Sequence, residues 1–194
     1  MRNPFAPLLV LALAAPVLAQ GPAPRETVSV AVGGKKVSIE YGRPSLKGRS
    51  FDELAKQLPA DRMWRAGANQ VTTLTTEADI LVGGKRVPAG KYSLYVHVPE
   101  SGDCSLAMNS DLGVALSKIW PAAPANQANE PWPYLEDYDK TIRSKEVARS
   151  PLSRGTIAPP VEVFTVALTP EKTGAKLTLS WLDRSFTLSL APAR

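Results

Sequence analysis

The chain has 194 residues, of which 44% are hydrophobic and 21% are charged, and its formal net charge is +5. This composition is typical of a folded globular protein and excludes a disordered chain or a collagen-like polymer. A single cysteine and a single histidine exclude an internal disulfide and a zinc site built from Cys and His ligands. The 18 prolines and 13 glycines favour many turns over long helices.

The start of the chain has the pattern of a secretory signal peptide. Arg2 precedes an apolar stretch over residues 5–18, and Ala19 precedes a predicted cleavage site before Gln20. The apolar stretch is about 14 residues long, shorter than the roughly 20 that a membrane-spanning helix needs, and prolines interrupt it. We therefore predict that residues 1–19 are a cleaved signal peptide. The protein is then periplasmic or secreted, with no stable membrane insertion after cleavage.

The remainder of the chain is expected to form one domain. Residues 20–24 are predicted to be a disordered lead, and residues 25–194 a single all-β domain. A domain of this size buries roughly 70% of the surface of its unfolded chain, which suffices for a core without disulfides. The positive charge is spread along the chain without a run of five basic residues, so we predict no nucleic-acid partner.

Alternating hydrophobic and polar residues predict about nine or ten short strands, typical of an antiparallel β-sandwich or a barrel-like domain. Alternating runs flank Gly33-Gly34 and again Gly83-Gly84, and each pair of runs is typical of a β-hairpin. The other predicted strands are residues 71–76, 92–98, 105–109, 140–148, 161–168, 176–182 and 185–190. The last two, joined by a tight turn at Asp183-Arg184, are expected to turn one face to the core: Leu177, Leu179, Trp181, Phe186, Leu188 and Leu190.

One short helix is predicted, from about Phe51 to Gln57. Ser50 and Glu53 have the spacing of a capping box, in which each side chain satisfies the backbone amide of the other. Pro59 ends the helix, and we expect no other. Residues 121–133 contain four prolines and are predicted to be an irregular surface excursion.

The sequence offers little support for catalysis. His97 lies in the middle of a predicted strand without a nucleophile motif, and Cys104 begins an apolar strand, where a buried thiol is expected. We predict no catalytic residue, no metal site and no cofactor. The carboxylates at Asp52-Glu53 leave open a glycosidase, which needs two carboxyl groups across a cleft. Those at residues 136–139 leave open the same chemistry or a calcium site.

Two irregular segments, residues 43–49 and 64–69, concentrate cationic, aromatic and amide side chains. Arginine forks, a lysine, a stacking tryptophan and an amide suit a small anionic or sugar ligand. The candidate ligand-binding residues are Arg43, Lys47, Arg49, Trp64, Arg65 and Asn69. We expect the two segments to meet at one end of the sandwich. The alternative is that an internal acid, such as Glu40 or Asp52, already pairs with the arginines, so that the cluster only ties loops together.

Three ordered motifs resemble a known family. The chain reads YGRPSLKGR from residue 41, MWRAGANQVTT from residue 63 and GGKRVPAGKYSLY from residue 83. These motifs resemble the bacterial family called domain of unknown function 2911, and the similarity continues to Leu190. The resemblance implies a secreted or periplasmic β-domain with no established activity, catalytic residues or cofactor.

The predicted function is a non-catalytic module that binds a ligand or associates with the cell envelope. Its partner is then a small anionic or sugar ligand or an envelope component. The alternative that the sequence leaves open is a hydrolase acting on a glycan or ester through a carboxylate pair.

Overall fold

The computed structural model describes residues 23–134 and 137–193, so the predicted signal peptide lies outside the described residues. The strands are β1 (Arg25–Val32), β2 (Lys35–Gly42), β3 (Met63–Trp64), β4 (Thr73–Thr76), β5 (Ile80–Val82), β6 (Lys85–Val87), β7 (Gly90–His97), β8 (Ser105–Asn109), β9 (Val114–Ala115), β10 (Pro131–Trp132), β11 (Glu146–Pro151), β12 (Ser153–Glu171) and β13 (Gly174–Pro192). The helices are α1 (Phe51–Ala55), α2 (Leu116–Ile119) and α3 (Tyr138–Thr141), and one turn of 3-10 helix spans Arg143–Lys145.

The strands form two main antiparallel sheets that pack face to face. The larger sheet has the order β1-β2-β4-β7-β8-β11, with β3 paired to β7, and the second sheet has the order β12-β13-β5-β6. Apolar side chains from both sheets form one core between them, as amphipathic sheets require in order to bury their hydrophobic faces. The predicted all-β sandwich is confirmed, and the sheets are not closed into a barrel.

The two predicted hairpins are confirmed. Gly33 and Gly34, between β1 and β2, have φ values of 59° and 77°. Gly83 and Gly84, between β5 and β6, have φ values of 53° and 82°. Glycine adopts this left-handed backbone without steric cost, which is why paired glycines mark such turns.

The side chains of β7 alternate between two buried faces, as successive residues of a strand do. Leu94 and Val96 point into the core between the sheets. Tyr95 lies on the opposite face, where it packs in a second cluster with Met63 and Tyr138. This second cluster, formed by Met63, Tyr95, Ala107, Tyr138 and Ile142, is called the outer cluster below.

The predicted helix α1 is confirmed together with its capping box. The Oγ of Ser50 accepts a hydrogen bond from the Glu53 amide, and the Glu53 carboxylate accepts one from the Ser50 amide. The expectation of a single helix is wrong, because α2 and α3 are present. None of the helices in the described residues is long and apolar enough to cross a membrane.

The prediction of a strand over residues 140–148 is wrong for most of that range. The chain there forms the end of α3 and the 3-10 turn, and β11 begins only at Glu146. The buried amide of Asn109 donates to the Ile142 carbonyl at 2.6 Å, so the turn is fixed by a residue of β8 rather than by local pattern. The excursion at 121–133 is largely irregular, as predicted, apart from the two residues of β10.

The prediction of a tight turn at Asp183-Arg184 is wrong, because β13 runs through these residues without a break. Leu182 has a φ of 57°, and the pairing register with β12 shifts on either side of Val161, its partner. The irregularity that resembles a turn in sequence is therefore a bulge within one long strand. The predicted core face is confirmed: Leu177, Leu179, Trp181, Leu188 and Leu190 are buried and Phe186 is partly buried.

Candidate functional site

A pocket of about 290 Å³ lies between the two sheets beside α1, and it is called the α1 pocket below. Its walls are mainly apolar, which is typical of sites for small molecules. The aromatic and aliphatic residues that line it are Pro44, Phe51, Leu54, Ala55, Leu58, Trp64, Ala68, Val96, Val98, Leu179, Trp181 and Phe186.

The inner wall of the pocket is a packed aromatic cluster. The rings of Trp64 and Trp181 are stacked, with centroids 5.5 Å apart. Both rings also pack edge-on against Phe164, at 4.8 Å and 5.7 Å between centroids. The Trp181 indole N–H donates to the Glu162 carbonyl at 3.2 Å. This wall is rigid because each ring is fixed by its neighbours and one by a hydrogen bond.

The outer wall of the pocket is α1. Phe51 packs against Phe186, with centroids 6.3 Å apart. Arg62 ties the end of the helix to the residue that follows β7, since its guanidinium donates to the Ala55 carbonyl at 2.8 Å and to the Val98 carbonyl at 3.0 Å. None of the residues of α1 is fully buried, so its apolar face covers the pocket without closing it.

The polar residues that line the pocket are Arg49, Gln57 and Arg65, and no Asp or Glu is among the lining residues in the described part of the chain. Arg49 donates to the carbonyls of Leu46 and Ser45, at 2.9 Å and 3.4 Å. Arg65 makes no hydrogen bond or ion pair with any described residue. The charge on the pocket wall is therefore positive.

Three of the six candidate ligand-binding residues, Arg49, Trp64 and Arg65, line the α1 pocket. Arg43 instead forms an ion pair with Glu26, at 3.0 Å. The Asn69 amide donates to the Ala23 carbonyl at 3.4 Å. The two irregular segments thus meet, as predicted, but not all of their polar groups face the same space.

Lys47 is not among the lining residues, and its loop is fastened to β12. The Lys47 amide and the Ser45 hydroxyl each donate to the Glu162 carboxylate at 2.7 Å. These bonds, with that from Ser45 the largest contribution, hold the pKa of Glu162 below its usual value. For Arg43 the structure matches the loop-tying alternative, because its guanidinium pairs with an acid of the chain itself, whereas Lys47 is held through its backbone amide.

The two acids that the sequence suggested for this role are engaged elsewhere. Glu40 pairs with Arg25 at 3.0 Å. Asp52 lies 3.4 Å from Arg184, and the Arg184 guanidinium lies over the Phe51 ring at 4.2 Å from its centroid. The acids that hold the loop, Glu26 and Glu162, are distant in sequence from their cationic or amide partners, so local pattern does not identify them.

Cys104 also lines the pocket, and sequence reasoning assigned it only to the core. It is half-buried, and burial raises the pKa of its thiol, so the protonated form dominates at neutral pH. Phe51, Trp181 and Phe186 also line the pocket, although the sequence places them only in the helix or the core. The sequence signal for this pocket is the pair Leu54 and Leu58, which lie one helical turn apart and give α1 an apolar face.

The remaining sequence candidates do not form a site among the described residues. Asp137 pairs with Lys140 at 3.2 Å and Asp139 with Arg143 at 2.8 Å, while Glu136 lies outside the described residues. No group of three His, Cys, Asp or Glu side chains in the described ranges is arranged to hold a metal ion.

Comparisons with known proteins agree with the motifs. No curated protein and no solved structure matches the chain significantly. The model of a family described as protein of unknown function (DUF2911) matches residues 23–190. This range includes every residue that lines the α1 pocket. The chain belongs to the DUF2911 family.

Proposed function

We propose that this protein is an exported, non-catalytic module that binds a small, mainly apolar molecule in the α1 pocket. The supporting observation is the pocket itself. Phe51, Trp64 and Phe186 are only partly buried although they pack against the core, and all three line the same concave space. A ligand that covers them gains about 25 cal/mol per Å² of apolar surface removed from water.

The size of the pocket limits the ligand. A volume of about 290 Å³ is just below the roughly 300–1,000 Å³ that is usual for ligand sites. A molecule with one or two fused rings, or a short branched chain, suits this volume better than an oligosaccharide. The few polar groups on the wall also favour an apolar ligand over a sugar.

The hydrolase alternative has no supporting observation in this pocket. A glycosidase needs two carboxyl groups on either side of the scissile bond, and the described lining residues include no Asp or Glu. Association with the cell envelope is compatible with the proposal, because a pocket for an apolar molecule suits a protein that meets envelope components.

Binding of the neutral fluorescent probe N-phenyl-1-naphthylamine tests the proposal. Ala55 lines the pocket and its neighbour Lys56 does not. We expect saturable fluorescence enhancement with the purified protein. Ala55→Phe should fill the pocket and weaken binding by about tenfold or more. Lys56→Phe is the matched control, because it adds the same ring next to the pocket, and it should bind the probe like the unaltered protein. Equal binding by both variants would contradict the proposed site.

Alkylation of Cys104 gives an independent measurement of occupancy. The chain has one cysteine, and it lines the pocket, so iodoacetamide reports on this site alone. Saturating probe should slow the reaction, and dilution of the probe should restore it. An unchanged rate at saturation would place the probe elsewhere on the protein.

Export is the second element of the proposal, and its support is the signal-peptide pattern of residues 1–19. Intact-mass measurement of the protein recovered from the native cell envelope or medium should show a chain that begins near Gln20. Recovery of the full-length chain from the membrane fraction would contradict export by cleavage.

A further inference from the structure

Two of the three exposed large hydrophobic residues in the described part of the chain are adjacent: Ile119 is 41% exposed and Trp120 is 49% exposed. They begin a stretch over residues 119–129 that contains no charged residue. Single exposed apolar side chains are common on protein surfaces, whereas neighbouring ones that form a patch mark a site of interaction. The segment of residues 116–130, which carries this patch, is called the Trp120 lobe below.

The Trp120 lobe is held in a fixed conformation. At its base β9 pairs with β10, and the Ser117 amide donates to the Ala128 carbonyl at 3.0 Å. The Leu116 side chain is buried, and the Leu116 carbonyl accepts a hydrogen bond from the Trp120 amide at 2.8 Å. The exposure of Ile119 and Trp120 is therefore a consequence of the fold around them.

The charge next to the patch is positive. Lys118 is exposed and directly precedes Ile119. The acid that ends the uncharged stretch, Glu130, lies at the base of the lobe, where its carboxylate accepts from the Gln70 amide at 2.6 Å. Residues 118–129 thus carry one cation and no acid, in a chain whose formal net charge is +5. An anionic surface attracts a protein with this charge distribution.

The size of the patch decides what kind of partner it fits. A stable protein–protein interface buries about 800 Å² on each partner and uses about 20–30 residues a side, whereas the lobe offers two large apolar side chains beside the small exposed residues Pro121 and Ala122. A bilayer surface needs no complementary shape. Tryptophan is enriched there because its ring is apolar and its N–H can bond to polar groups. The Trp120 indole N–H makes no hydrogen bond with any described residue.

We propose that the Trp120 lobe docks the protein on a bilayer surface that contains anionic phospholipid. Trp120 and Ile119 enter the interface between headgroups and acyl chains, and Lys118 lies among the phosphates. This inference goes beyond the proposed function and is independent of it, because none of residues 116–130 lines the α1 pocket. The contact is peripheral and reversible, since its strength scales with the small apolar area buried and with the attraction to anionic lipid.

Flotation with lipid vesicles tests the proposal. The processed chain, beginning near Gln20, is used because the apolar residues 5–18 would bind lipid themselves; it contains the whole core, which extends from Val30 to Leu190. We expect it to float with vesicles that contain phosphatidylglycerol. Trp120→Ala should weaken binding about tenfold or more, because half of a large ring no longer leaves water.

Val147→Ala is the matched control, because Val147 is exposed, at 37%, and lies outside the lobe. It should change the affinity by less than about twofold, since a residue away from the bilayer contributes no buried apolar area. Failure of the unaltered protein to float would overturn the proposal. Retained affinity in Trp120→Ala, or an equal loss in Val147→Ala, would overturn the role of the lobe.

Substitution of Lys118 tests the attraction to anionic lipid. Lys118→Gln should weaken binding to phosphatidylglycerol vesicles about fivefold, the usual effect of one lysine near an anionic surface. Lys172→Gln is its control, because it removes an equal charge from an exposed residue in the turn between β12 and β13, and it should change the affinity by less than about twofold. Equal binding of the unaltered protein to vesicles of phosphatidylcholine alone would overturn the preference for anionic lipid.

Quenching of tryptophan fluorescence by vesicles with brominated acyl chains reports whether Trp120 contacts the lipid. Trp120 is exposed, whereas Trp64 and Trp132 are partly buried and Trp181 is buried. Trp120→Phe should still bind but lose most of the quenching. Quenching that persists in this variant would overturn the contact. A dimer in solution that Trp120→Ala dissociates, measured by analytical ultracentrifugation, would show instead that the lobe binds a second copy of the chain and would overturn the proposal.

Discussion

Replacement of Trp181 by alanine is expected to lower the free energy of unfolding by about 3–5 kcal/mol, the usual cost of truncating a large buried aromatic side chain. Trp181 is 8% exposed and stacks on Trp64 with centroids 5.5 Å apart. Its removal also leaves the Glu162 carbonyl without the indole donor. The substitution would leave a cavity between the two sheets. Trp64 and Phe164 would lose a packing partner there and could not move freely to fill the space.

Chemical denaturation followed by far-ultraviolet circular dichroism measures this loss. Trp120→Ala is the matched control, because Trp120 is 49% exposed, and truncation there should change stability by less than about 0.5 kcal/mol. A loss below about 1 kcal/mol in Trp181→Ala would mean that this face of β13 does not pack in the core.

Replacement of Asn109 by alanine is expected to cost about 2–4 kcal/mol, since it leaves several buried polar groups unsatisfied. The side chain is fully buried. Its amide donates to the Ile142 carbonyl at 2.6 Å and to the Tyr138 hydroxyl at 3.2 Å, and its oxygen accepts from the Asp111 amide at 2.8 Å. These bonds attach the turn after α3 to β8, so the outer cluster should loosen as well.

Hydrogen exchange of the Ile142 amide, which donates to the Tyr138 carbonyl, reports on this attachment directly and should become faster in Asn109→Ala. Ser110→Ala is the control, because Ser110 is exposed and its hydroxyl donates to the Lys145 carbonyl. The control should change stability by less than about 0.5 kcal/mol. Equal effects of the two substitutions would argue that the buried network is not what holds the turn.

Some elements could be predicted because their determinants lie within a few residues. The hairpin at Gly33-Gly34 follows from two residues that accept a left-handed backbone. Helix α1 follows from Ser50 and Glu53, which cap it whatever the rest of the chain does. The faces of β7 follow from strict alternation, which fixes which side chains share a side of a strand.

The errors occur where distant residues override the local pattern. Residues 140–145 are compatible with a strand, but the buried Asn109 side chain captures the Ile142 carbonyl and favours a turn. Asp183 and Arg184 resemble a turn, but pairing with β12 continues through them and only Leu182 departs from strand geometry. In both cases the hydrogen bonds that decide the outcome join residues more than 20 positions apart.

The same division applies to the candidate site. The residue pattern alone predicts the sandwich class, the hairpins, the capped helix and the family, and it points to the cations of residues 43–49 and 64–69. The folded structure was needed to show that Arg43 pairs with Glu26 and that α1 and β13 line an apolar pocket, which α1 covers without closing it. This difference arises because a charge is paired by groups that lie close in space, whereas backbone conformation in turns and caps is set by neighbours in the chain.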